Sequence, residues 1–110
     1  MEDATVRMRL EGMSAELQRS IRVLRGDPVP VGDRSAADAG ADLSDADRVR
    51  AMLDAATTQL KAITEALRRL EEGRYGRCVD CAKPVPEGRL EARPEAARCV
   101  QCQASRERRR

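Results

Sequence analysis

The sequence predicts a mainly α-helical fold: an antiparallel two-helix coiled-coil arm joined to a small globule that four cysteines tie together, followed by a C-terminal helix. Three observations predict it. Two segments carry apolar residues at heptad spacing, a stretch rich in proline, glycine and aspartate separates them, and every cysteine lies in one of two CxxC pairs near the C-terminal end. With 110 residues there is room for about one domain. Histidine, phenylalanine and tryptophan are absent and Tyr75 is the single aromatic residue, so a core must be built from Leu, Val, Met, Ile and Ala. Some further source of stability is expected.

The first helix is expected over about 2–25, where Val6, Leu10, Met13, Leu17, Ile21 and Leu24 form a heptad stripe with one slip near Ser20. Pro28 and Pro30 then forbid helix, in a connection, GDPVPVGDRSAADAGADLS, whose length suits either a functional segment or a solvated loop. A second helix is expected over about 45–72. Val49, Leu53, Ala56, Leu60, Ile63, Leu67 and Leu70 alternate steps of four and three without a break. Ser44 and Asp47 have capping-box spacing, and Gly73 and Gly76 close the helix. Pairing of the two stripes within the chain is the simpler solution and makes residues 1–72 one hairpin with an acidic loop at 26–44. An intermolecular coiled coil is the alternative, and the hairpin reading implies a monomer.

Charge is unevenly spread. Residues 1–47 hold ten acids and six bases, and residues 48–110 hold nine acids and fifteen bases. The chain therefore has an acidic end and a basic end, a feature that concerns partners rather than fold. The start, MEDATVRMRLEGM, lacks the apolar core of a signal peptide, and no stretch approaches a membrane span. A cytoplasmic protein with no membrane contact is expected, and in a reducing compartment paired cysteines point to a metal rather than to disulfides.

Residues 73–110 are expected to form that metal module and a weak C-terminal helix from about Val100. Cys78 and Cys81 are followed, after 17 residues, by Cys99 and Cys102. Four thiolates make a closed tetrahedral site for one structural zinc ion, with no open position for a catalytic water. An iron–sulfur site and disulfides are the alternatives. Arg77, Lys83, Arg89, Arg93 and Arg98 surround the cysteines and offset their charge. A nucleic-acid face built on them would normally add stacking aromatics or a reading helix, and here only Tyr75 is available. No histidine base, phosphate loop or nucleophile elbow is present, so no enzyme is expected.

The run EEGRYGRCVDCAKPVPEGRLEARPEAARCVQC resembles the DksA/TraR zinc-finger family of bacteria through Gly73, Tyr75, Gly76, Cys78, Cys81, Pro84, Arg89 to Pro94, Cys99 and Cys102. The resemblance implies a regulator that binds bacterial RNA polymerase, inserts its coiled-coil arm into the secondary channel and changes initiation without sequence-specific DNA contact. It also implies an acidic arm tip of the pattern Asp, two residues, Asp, one residue, Ala. Asp42 and Asp45 supply both aspartates here, while Asp47 stands in place of the alanine. A register on Asp47 and Arg48 instead leaves Ser44 at the first aspartate and Val49 at the alanine. Some members act with the alarmone ppGpp; its role here is unknown from the sequence, and no residue is assigned to it. Arg89, Arg93, Arg106, Arg108, Arg109 and Arg110 are the candidate contacts to polymerase or to nucleic acid. Two other functions fit the residues alone: a zinc-ribbon module that binds nucleic acid directly, and a zinc adaptor between proteins.

Overall fold

The structure, a computed structural model, describes residues 2–26 and 43–109. Two long helices, α1 (Asp3–Leu24) and α2 (Leu43–Glu71), pack along each other, and two short ones, α3 (Glu87–Ala92) and α4 (Val100–Arg108), belong to the C-terminal module. Nearly all of the connection at 26–44 lies outside the described residues. The second helix begins at Leu43, so Ser44 sits within its first turn rather than ahead of it.

The heptad residues make the seam, unequally along its length. Val6 and Leu10 from α1 pack with Ile63, Ala66 and Leu70 from α2, and Leu10 and Ile63 are wholly buried. Met13, Leu17 and Leu67 are half-buried against this cluster. Farther out, Ile21 of α1 is buried, Leu53, Ala56 and Leu60 are half-buried, and Val49 and Met52 are exposed. Two helices alone shield one stripe each from one side; where a third body adds cover, the seam closes. That third body is the C-terminal module, which contributes Tyr75 to the seam's inner end.

The join between arm and module is set by backbone chemistry. Gly73 takes a left-handed φ of 76°, its N–H donates to the Leu70 carbonyl, and the Arg74 N–H donates to the Arg69 carbonyl. This paired closure is the Schellman motif, which a side chain at the glycine position would strain. It ends α2 and turns the chain into the module. One isolated antiparallel bridge, Arg77 to Pro84, then brings the chain back upon itself.

Because the seam is tight at the inner end and loose beyond it, equal truncations should differ in cost. Ile63→Ala is expected to remove about 3 kcal/mol of stability and Leu53→Ala about 1 kcal/mol. Urea unfolding of the metal-loaded protein checks the difference.

Candidate metal centre

Each CxxC pair forms a tight turn that presents two sulfurs. In the first, the Cys78 N–H donates to the Lys83 carbonyl and the Ala82 N–H to the Cys78 carbonyl, at 2.8 and 2.9 Å. Ala82 closes this turn with a φ of 65°, in the left-handed region where an L-residue with a Cβ is strained. In the second, Cys99 caps α4 and Cys102 lies in its first turn, with the Gln103 N–H donating to the Cys99 carbonyl. A hydrogen bond from the Val79 N–H to the Ala97 carbonyl, 2.9 Å, stitches the two turns together. The segment between them is held by α3, whose Leu90 is buried with Val85 and Cys78.

These elements bring the Sγ atoms of Cys78, Cys81, Cys99 and Cys102 within 4.8 Å of one another, with Cys81 and Cys99 at 3.9 Å. Four sulfurs about 2.3 Å from a tetrahedral zinc ion would be about 3.8 Å apart, so the set fits that ion closely. It does not fit disulfides: all four cysteines are free. The donor set is thiolate alone and saturates a tetrahedral ion, which suits a structural metal rather than a catalytic one.

The surroundings prepare the sulfurs unequally. Burial acts to push the Cys78 thiol up, but backbone N–H groups of Cys99, Cys81 and Asp80 and the Cys102 side chain together hold it down at about 6. Cys102, sharing hydrogen bonds with Cys99 and Cys78, is pushed up to about 12. Without an ion the cluster thus keeps protons among its sulfurs, and binding a cation releases them.

The arginines around the cysteines are largely engaged within the module. Arg77 donates to the Ala82 carbonyl, Arg89 to the Arg98 carbonyl and Arg98 to the Asp80 carboxylate, while Arg93 lies 3.8 Å from Glu95. Arg106, Arg108 and Arg109 are exposed on the last part of α4, and Arg110 lies outside the described residues. Of the expected tip, Asp45 and Asp47 lie near the start of α2, with Asp45 3.7 Å from Arg48, and Asp42 lies outside the described residues. The metal ligands and the tip therefore occupy opposite ends of α2. The structure also brings forward residues that spacing alone did not mark. Tyr75 packs on both the arm cluster and the finger cluster and donates its hydroxyl to the Pro94 carbonyl at 2.8 Å. Arg69 is buried although it faces away from the heptad seam, and burial pulls its pKa down against the opposing charge of Glu65. No helix among the described residues is long and apolar enough to cross a membrane.

Residues 73–108 match the model of the prokaryotic dksA/traR C4-type zinc finger. Over 50 residues the chain is 46% identical to the RNA polymerase-binding transcription factor DksA of two Caulobacter vibrioides strains, a match that covers 46% of this chain and 35% of each relative. The matched part is thus about a third of the length of those relatives. Among solved structures, the transcription factor DksA2 of Pseudomonas aeruginosa is similar over 97% of this chain and 84% of its own, with a TM-score of 0.70 and 28% identity. The DnaK suppressor protein of Agrobacterium tumefaciens C58 is similar over 96% and 94%, with a TM-score of 0.63 and 27% identity.

Three outcomes follow from the geometry. Replacing Cys81 by serine should abolish stoichiometric metal binding, read by elemental analysis. Chelating the metal should melt the finger's amide resonances while most far-UV helical signal from α1 and α2 persists. Ala82→Gly should relieve the strained turn and stabilise the metal-loaded protein by about 1 kcal/mol, read as a higher urea midpoint.

Proposed function

Because the chain belongs to the DksA/TraR zinc-finger family, we propose that it is a non-enzymatic transcription regulator that binds bacterial RNA polymerase, with one structural zinc ion held by Cys78, Cys81, Cys99 and Cys102. The observation that carries this reading is the likeness of arm and finger together, in one arrangement, to a solved transcription factor. A match to the finger alone would serve equally well for a nucleic-acid module. The arm enters the polymerase secondary channel, and Asp42, Asp45 and Asp47 form its tip near the active centre, while the finger and α4 rest outside. The protein acts in the cytoplasm as a monomer.

The physical layout supports this assignment. A helix of 29 residues is about 43 Å long, enough to carry carboxylates deep into a channel while the globule stays at its mouth. Carboxylates at such a tip alter the field around a metal-bearing active centre without performing chemistry themselves. At the other end, Arg106, Arg108 and Arg109 are exposed and available to an acidic protein surface. Arg89, in contrast, is engaged by the Arg98 carbonyl, which leaves only Arg93, 71% exposed, on that face and argues against a phosphate-tracking basic face.

Binding to core RNA polymerase, with naked promoter DNA as the parallel control, tests the reading. Binding to polymerase that is weakened by blocking the secondary channel, with none to DNA, is the expected result; binding to DNA alone would replace it with the nucleic-acid module. The double substitution of Asp42 and Asp45 by asparagine should abolish the effect on initiation while polymerase binding and folding persist. An unchanged effect on initiation would remove those aspartates from the functional tip.

A further inference from the structure

An open groove of about 1270 Å³ runs between α2 and the finger. Its arm wall carries Ala55, Thr58 and Ala62, and its finger wall Ala96, Ala97 and Ala104. Longer polar side chains, Gln59 and Glu65 on the arm and Arg98 and Gln103 on the finger, line the same groove and must swing aside for the alanines to meet. The α4 helix buries none of its own residues, and Val100 at its start is 59% exposed.

Two charged residues face each other's body across this groove. Arg69, on α2, is 6% exposed, and its Nη2 atom has no hydrogen-bond partner among the described residues. Glu95, in the finger, has a buried Oε1 with no partner, while its other oxygen lies 3.8 Å from Arg93. Both residues line the groove. A donor of a cation and an acceptor of an anion are thus withdrawn from water and left unused, on two bodies of one chain. Each such atom is unfavourable where it lies, and pairing them would remove both penalties at once.

The join permits the necessary movement. Arm and finger are linked through Gly73 and Gly76, both at left-handed φ, and nothing lies within 4 Å of where a Gly73 Cβ would be. Tyr75, between these glycines, is anchored to the Pro94 carbonyl next to Glu95 and so moves with the finger, shifting its contacts on the arm cluster.

We propose that the finger and α4 form a hinged lid, which closes over the Ala55–Ala62 face of α2 and is latched by a hydrogen-bonded ion pair between Arg69 and Glu95. Closure buries the alanines of both walls together with Val100 and removes the groove. The structure described here is the open form. The lid needs no partner, so its test is independent of polymerase binding.

Double electron–electron resonance on the zinc-loaded full chain reads the lid directly. Nitroxides are attached through genetically encoded keto amino acids at the positions of Thr57 and Gln101, which are exposed and lie off the groove. Thiol labelling is avoided because it would attack the metal ligands. Two separations are expected, the shorter belonging to the closed form. Glu95→Ala should lower the closed-to-open ratio about tenfold, and Arg69→Met likewise. The double variant should lose no more than either single one, because both remove the same contact. Should Arg69→Met fail to fold, Glu95→Ala still decides, since Glu95 lies in a loop outside every helix. A single separation in the parent protein, or a ratio unchanged by Glu95→Ala, would overturn the lid; additive losses in the double variant would overturn the latch.

Discussion

Four sulfurs that meet within 4.8 Å of one another determine how the rest of the chain packs. Apart from Cys78, the finger buries only Val85 and Leu90 as a core, each side chain worth about 2–3 kcal/mol, too little to order a segment of this length. A structural metal ion such as zinc, held by these sulfurs, would supply on the order of 10–16 kcal/mol, and only when both knuckles are in place. Once they are, Pro94 is fixed where Tyr75 can donate to its carbonyl, and Tyr75 joins the finger's core to the arm's. The inner end of the coiled coil then has cover on a side that two helices cannot provide for themselves. Metal binding, finger folding and the tightness of the seam thus form one causal chain.

The arm inherits a gradient from this arrangement. Val6, Leu10, Ile63, Ala66 and Leu70 are buried near the finger, whereas toward the tip Ile21 alone of the described residues is buried and Val49 and Met52 are exposed. The acids Asp45 and Asp47 accordingly project from the part of the arm with the least packing, and the metal lies at the part with the most. Local opening is therefore easiest toward the tip, where buried apolar contact is least.

Much of this was legible in the sequence because it depends on local spacing. The heptad stripes placed both long helices, the two CxxC pairs gave the ligand set, and Gly73 marked the end of the second helix through its need for a left-handed φ. What spacing did not show depends on which face the finger covers. Arg69 lies on the side of α2 away from the heptad seam, where a periodicity argument reads solvent, and only the finger folding over it makes it a buried cation. The short helix Glu87–Ala92 is six residues long, too brief for a hydrophobic period to register, and is held by Leu90 within the metal-tied core. Ala82 in a left-handed turn is invisible for another reason: glycine or asparagine would have signalled that conformation, and alanine does not.

The electrostatics separate the two kinds of partner that a small basic zinc module could serve. With four thiolates around a divalent ion, the formal charge falls from +2 to zero, so bulk attraction to a polyanion is absent. The basic residues closest to the cysteines bond within the finger: Arg77, at its surface, and the half-buried Arg89 and Arg98 donate to its backbone or a carboxylate. They hold its loops and would offset the charge of a four-thiolate metal centre. Binding must instead rely on where charge remains exposed, with carboxylates at one end of a long helix and the arginines of α4 at the other. Nucleic acid, with phosphates at regular short intervals, offers nothing to match two opposite charges held a helix length apart. The partner proposed above would have to match both ends at once, with a positive lining for the carboxylates and an acidic surface for the arginines.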